Sequence, residues 1–253
     1  MPIRWTLFKH VFIYLNVAWL AAPALVSGQS AAFFWGKAEL QYRLTGQWEV
    51  AGELIHRRKQ DADASAIPFA RTQTNALRLW TRFRAGEHTR LWLSPLAYFS
   101  QEVAVGQNES LQYVQRPEWR WTGGVQHTWA RERNKFNMRN LAEWRHFPLF
   151  QGRQSDRVRF RHLLEYDFRF APRWQANAWN EFFWNAGPEL SFDQNRTGAA
   201  LQWAAAPHLS VVMGYFYTLH PLERWQLKFG DHNAQLYLIF TLDNKKQQPK
   251  SKS

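Results

Sequence analysis

The sequence predicts an all-β fold, an antiparallel transmembrane β-barrel of about twelve strands, with ten as the fallback. Three observations predict it. Apolar side chains recur at every second residue, connections alternate between short turns and longer polar segments, and tryptophan is abundant near the ends of the alternating segments.

Composition bounds the problem first. The 253 residues contain no cysteine, 15 Trp, 19 Phe and 8 Tyr, and 32 basic against 20 acidic side chains give a formal charge of +12. Without cysteine there is no disulfide framework, no thiolate metal site and no cysteine nucleophile. A hydrophobic share of 45% with a mean hydropathy of -0.52 excludes a helical membrane protein, and 17% aromatic residues exclude a disordered chain.

The first element is a secretory signal peptide over residues 1–28. Arg4, Lys9 and His10 precede the apolar run Val11 to Leu25, and the small residues Val26 and Gly28 suit cleavage before Gln29. The competing reading is a single membrane anchor, but a run holding Asn16 and Pro23 falls short of the roughly 20 residues needed to span a bilayer. A secreted chain has little access to ATP or NAD, and no GxxxxGK[ST] or GxGxxG loop occurs.

Residues 29–242 form the barrel. Its clearest strand is Arg157 to Phe170, where Arg157, Arg159, Arg161, Leu163, Glu165, Asp167 and Arg169 alternate with Val158, Phe160, His162, Leu164, Tyr166, Phe168 and Phe170. At ~3.3 Å per residue such a strand reaches about 46 Å, beyond the usual globular strand. Glu49, Glu53 and Arg57 face away from Trp48, Val50, Gly52 and Leu54; Glu118 and Arg120 oppose Trp119 and Trp121; Arg139, Glu143 and Arg145 alternate with Met138, Ala142 and Trp144. Eleven such segments are visible, at 34–44, 47–58, 72–84, 89–102, 115–130, 135–146, 157–170, 174–183, 194–204, 209–218 and 232–242. Single-chain bacterial barrels take even numbers, so a twelfth strand is expected.

Short turns are expected at Thr45-Gly46, Ala85–His88, Arg131–Asn134, Ala171–Arg173 and Ala205–His208, and longer segments at Lys59–Ala70, Val103–Gln112, Phe147–Asp156, Trp184–Asp193 and Leu219–Gly230. That rhythm matches short periplasmic turns and longer outer loops. Trp35, Trp48, Trp80, Trp92, Trp119, Trp129, Trp144, Trp174 and Trp203 are expected in aromatic girdles at the two interfaces. The alternative, a soluble core packed by tryptophan, needs a second layer to cover the charged face, and no helix is available to form one.

Trp48 with Glu53 and Arg57, Glu118-Trp119-Arg120, Arg139 with Glu143 and Arg145, Arg157-x-Arg159-x-Arg161 with Glu165, Gln194-Asn195-Arg196 and Gly214-Tyr215 resemble an uncharacterised bacterial family of outer-membrane β-barrels, the domain of unknown function of the DUF 2490 type. The resemblance covers roughly residues 33–242 and implies location and fold more than function. The sequence departs from the family pattern at Leu91 to Tyr98, where Pro95 stands in place of a usual Gly-Tyr pair.

The inward face is expected to carry Arg57, Arg78, Arg82, Arg120, Arg139, Arg145, Arg157, Arg159, Arg161, Arg169 and Arg196 with Glu49, Glu53, Glu118, Glu143, Glu165 and Asp167, an electropositive lumen. Either these charges pair and fill a structural envelope barrel, or rings of arginine favour small anionic solutes in a narrow anion-preferring, porin-like channel. A third reading, an outer-membrane lipid-modifying enzyme, rests on His208-Leu209-Ser210. That motif sits in a turn after Pro207, without the Asn and Gly expected to follow, so no catalytic residue is assigned. His56, His88, His127, His146, His162, His220 and His232 lack metal-ligand spacing, and no metal or cofactor is expected.

Nucleic acid is not an expected partner despite a pI near 10.2, because basic and acidic residues interleave along strands rather than forming a stripe. Outer-membrane lipid and, during insertion, the barrel-assembly machinery are. Residues 243–253, with Lys245, Lys246, Lys250 and Lys252, read as a basic flexible tail.

Overall fold

The computed structural model describes residues 31–60, 69–107, 110–150, 153–187, 190–221 and 227–243. The expected signal peptide and all of the basic tail beyond Asp243 lie outside these residues. Eleven strands form a closed barrel: β1 (Ala31–Arg43), β2 (Trp48–Lys59), β3 (Arg71–Arg84), β4 (Thr89–Gln107), β5 (Ser110–Arg131), β6 (Asn134–Phe150), β7 (Arg153–Ala171), β8 (Trp174–Ala186), β9 (Ser191–Ala206), β10 (Leu209–Pro221) and β11 (Leu227–Asp243). Each strand pairs with its sequence neighbours in antiparallel register, and β1 closes the ring by pairing in parallel with β11 from Ala31↔Asp231 to Arg43↔Asp243.

The expected strand number is therefore corrected. There are eleven strands among the described residues, neither twelve nor ten, and the sheet is mixed rather than wholly antiparallel. Closure requires only that no edge be left unpaired, and a parallel seam meets that requirement.

The two rims differ. At one, the turn rim, Leu44–Gln47, Ala85–His88, Glu132-Arg133, Pro172-Arg173 and Pro207-His208 join successive strands. Thr45 shows how such a turn is held, its hydroxyl accepting from the backbone N–H of Gln47 at 3.1 Å and of Trp48 at 3.0 Å. At the opposite, loop rim, β4 and β5 pair as far as Gln107↔Ser110, and β6 and β7 as far as Phe150↔Arg153. Val103–Gln112 and Phe147–Asp156 are thus mostly strand rather than loop. Their polar side chains do not prevent pairing, because neighbouring backbones supply the hydrogen bonds.

Pro95 breaks the register in β4, where the pairing shifts between Ser94 and Ala97 opposite β5 and between Leu79 and Thr81 on β3. Proline cannot donate to the ladder, and a bulge places it where no donor is needed.

Side chains sort by face in the reverse of a water-soluble core. Leu54 is 62% and Leu93 54% exposed, while Glu118 and Glu143 are 0% exposed. Outward aromatic pairs bridge neighbouring strands: Trp48 on Phe83 at 4.6 Å, Tyr98 on Trp119 at 4.9 Å, Trp121 stacked on Trp144 at 4.8 Å and Trp174 stacked on Trp203 at 6.0 Å. Such cross-strand pairs stabilise a sheet by about 0.2–1 kcal/mol each. Three tryptophans expected in the girdles point the other way. Trp35, Trp80 and Trp92 are on the inner face, where arginine guanidinium groups pack on their rings. Each shares strand parity with charged neighbours, Trp80 standing between Arg78 and Arg82, so the pleat turns it inward with them.

Candidate functional site in the barrel lumen

The inner faces of the strands, β10 excepted, supply a charged interior whose contacts run mostly between neighbouring strands, while Arg82–Glu39 and Arg78–Glu143 join strands that are not neighbours. Near the turn rim, Arg82 on β3 donates to Glu49 on β2 at 2.5 Å and to Glu39 on β1 at 2.7 Å. Lys37 approaches Glu39 at 3.1 Å and Glu53 at 3.4 Å. At mid-height Glu143 on β6 accepts from Arg159 at 2.6 and 2.9 Å and from Arg161 at 2.8 Å. Arg78 reaches the same carboxylate from β3, at 3.5 Å, and Arg161 bonds Glu181 at 2.6 Å. Towards the loop rim Glu118 accepts from Arg120 at 2.6 and 2.9 Å and from Arg145 at 2.5 and 3.2 Å, with Gln101 adding 2.7 Å.

Two-pronged arginine–carboxylate contacts of this kind combine charge with fixed geometry. Around them Ser94, Thr122, Glu118 and Glu143 are almost wholly enclosed. An eleven-strand ring is wider than the roughly eight strands whose interior side chains fill outright, and Arg78 reaches from β3 to Glu143 on β6 inside it.

The remaining inward cations and anions of the sequence reading sit apart from these three networks. Glu165 and Asp167 receive the Asn137 amide at 3.0 and 3.2 Å, and Lys135 meets Asp167 at 2.8 Å. Arg57 lies over Phe33 at 3.9 Å and approaches Asp231 at 3.7 Å. Arg139 packs on Trp92 at 4.7 Å and Arg196 on Phe183 at 4.8 Å. Arg157 and Arg169 lie exposed near the loop rim and the turn rim.

Sequence reasoning missed Lys37, Glu39, Glu181, Asp193 and Asp231, all partners in the ion pairs. The signal was present: Lys37 and Glu39 alternate with Ala38 and Leu40, and Glu181 has the parity of Phe183. His208 is exposed at the turn rim, its ring Nδ1 3.1 Å from the Thr241 carbonyl, and Ser210 follows on β10. Among the described residues no three His, Asp or Glu side chains are grouped to hold a metal.

The alternation, the inward arginines and the closed sheet bear on one family. A family model described as protein of unknown function (DUF2490) matches residues 33–223. The chain belongs to this family. The family match ends before β11, the strand that closes the ring on β1. No curated protein matches the chain in sequence. Among solved structures, a chain described as the CymD monoaromatic hydrocarbon channel is similar with a TM-score of 0.38 at 9% identity, over 71% of this chain and 66% of that one. The matched region is thus just under two thirds of that channel.

Proposed function

We propose that this family member spans the outer membrane as a β-barrel, with its signal peptide removed, its lumen sealed at mid-height by ion pairs, and a structural envelope role without catalysis. The carrying observation is the inversion of faces. Exposed Leu40, Leu54, Leu77, Leu93, Leu201 and Leu236 would be costly in water at about 25 cal/mol per Å², and hydrocarbon removes that cost. Trp48 and Trp203 stand near the turn rim as interface residues do.

Two measurements test this. A folded membrane barrel migrates faster on SDS gels unheated than boiled, and its outward tryptophans are quenched by brominated lipid. Identical mobility with no lipid quenching refutes the membrane assignment. A sealed lumen leaves planar bilayers without steady conductance, and stable single-channel steps refute the seal.

The second reading is a narrow passage for small anionic solutes, favoured by Arg139 and Arg196, which pack on aromatic rings without forming an ion pair among the described residues. Reversal potentials would then favour anions, and cation preference refutes it.

A further inference from the structure

The inner faces of β3, β4 and β6 converge on the ring of Trp92. The Arg82 guanidinium lies 4.3 Å and the Arg139 guanidinium 4.7 Å from its centroid. Trp80 stands edge-on to it at 5.2 Å, with Arg78 5.0 Å from the Trp80 ring. Ala51 and Leu141 complete an apolar wall.

The polar atoms of this cluster are unevenly matched. Trp80 Nε1, Trp92 Nε1 and the Nε atoms of Arg78, Arg82 and Arg139 are all buried and meet no acceptor; the Thr122 hydroxyl, on the neighbouring β5, is also without a partner. Trp80, Arg78, Arg82 and Thr122 are each at most 6% exposed. A buried N–H without an acceptor forfeits its hydration and returns nothing. Arg82 bonds Glu39 and Glu49 through its terminal nitrogens, and Arg78 approaches Glu143 at 3.5 Å. Arg139 forms no ion pair among the described residues; Oε1 of Glu181 accepts from Arg161 and Oε2 of Glu165 from Asn137.

We infer that this cluster holds one small monovalent anion of the halide class, with the indole N–H groups of Trp80 and Trp92 and the Arg139 guanidinium as donors. Five buried donors are unmatched in this cluster, against one unmatched hydroxyl, that of Thr122, which can also accept. A water molecule must place two hydrogens of its own against these donors, whereas an anion only accepts. One negative charge balances Arg139, the one guanidinium of this cluster without an ion pair; a second would enter a dry interior unpaired, which is costly. Trp80, Trp92, Leu141 and Ala51 wall the cluster with apolar surface, which suits a small, weakly hydrated anion. The site requires only that the lumen be closed around it, not that the lumen conduct.

The test uses the full chain, folded in detergent, with radiolabelled chloride at constant ionic strength and gluconate as the replacing anion. One chloride per chain is expected, with affinity reduced at least tenfold in Trp92→Phe, which keeps the ring under the guanidiniums and removes only the N–H, and in Arg139→Gln. Crystals grown in bromide are expected to show one anomalous peak within hydrogen-bonding distance of both indole nitrogens. Absence of saturable chloride binding, wild-type affinity in Trp92→Phe, or a water without bromide at that position overturns the inference. Should Arg139→Gln fail to fold, Trp92→Phe and Trp80→Phe decide the question. Because none of these readouts measures conductance or membrane insertion, their failure leaves the envelope reading untouched.

Discussion

Replacing Glu143 by Gln removes one charge from the middle of the lumen while keeping the shape of the side chain. The carboxylate is fully enclosed and serves three guanidiniums at 2.6, 2.8 and 3.5 Å. Stripping one partner from a buried ion pair costs about 3–5 kcal/mol, because the remaining charge stays in a poor dielectric. Here two of the three cations have a reserve: Arg159 keeps Asp193 at 3.3 Å and Arg161 keeps Glu181 at 2.6 Å. Only Arg78 loses its ion-pair partner, which sets the expected loss near the lower bound, about 3 kcal/mol. For a chain of this size the urea dependence is near the upper end of its range, roughly 3 kcal/mol per molar, so the midpoint followed by tryptophan fluorescence should fall by about 1 M. Glu87→Gln, in a turn with 89% of the side chain exposed, should leave the midpoint in place. Adding Arg78→Met to Glu143→Gln should recover most of the loss, since removing both partners of a buried pair is close to neutral. An unchanged midpoint in the single variant, or a double variant no better than the single, refutes the claim that Arg78 is the stranded charge.

Adjacent glycines on β5 should respond oppositely to alanine: Gly124→Ala brings a methyl within 2.0 Å of the Asn140 carbonyl oxygen, whereas at Gly123 nothing lies within 4 Å. The fraction of heat-modifiable band should collapse for the first and stay unchanged for the second. Leu93→Arg, on the outward face, should lower the stability of the barrel in lipid vesicles by about 2–4 kcal/mol, read as a reduced folded fraction; full folding in vesicles contradicts a membrane-facing Leu93. Since the chain has no cysteine, Ala38→Cys with Leu238→Cys reports on the parallel seam without background. Their register partnership predicts oxidative cross-linking in the folded state, and no cross-link argues against that closure.

The faces of the strands were legible because the pleat is local: parity along Arg157–Phe170 separates Arg159 and Arg161 from Phe160 with no knowledge of the neighbours. Tryptophan was harder, since its ring suits a lipid interface and a cation equally. Parity would have settled Trp80, which lies between Arg78 and Arg82, and Trp35, which shares a face with Lys37 and Glu39. What parity cannot supply is who meets whom across the lumen. Arg78 and Glu143 are on strands three apart in the ring, and their meeting depends on the accumulated stagger of every ladder between them, including the Pro95 bulge. The loop-rim ends of β4 to β7 extend past the alternating segments for a related reason. Gln107, Ser110 and Arg153 carry no hydrophobic signal, and only a paired neighbour makes them strand.

The strand count was obscured by an assumption about closure rather than by the sequence. A meander reverses direction at each turn, so an even number of strands leaves the first and last antiparallel, and an odd number leaves them parallel. The eleven alternating segments were all visible; the twelfth was required only if the seam had to be antiparallel. Backbone satisfaction makes no such demand, since a parallel ladder pairs its N–H and C=O groups too. What the seam does demand is that faces match, and the register from Ala31↔Asp231 onward preserves parity. Lys37 meets Tyr237 on the inside, with its ammonium 4.7 Å from that ring, while Leu40 meets Phe240 on the outside. A one-residue slip would bring Lys37 opposite Leu236 or Leu238 and put inward and outward residues in register with each other. The charges of β1 thus fix the closure as firmly as its apolar side chains do, because Lys37 and Glu39 must reach Glu53 and Arg82 inside the ring.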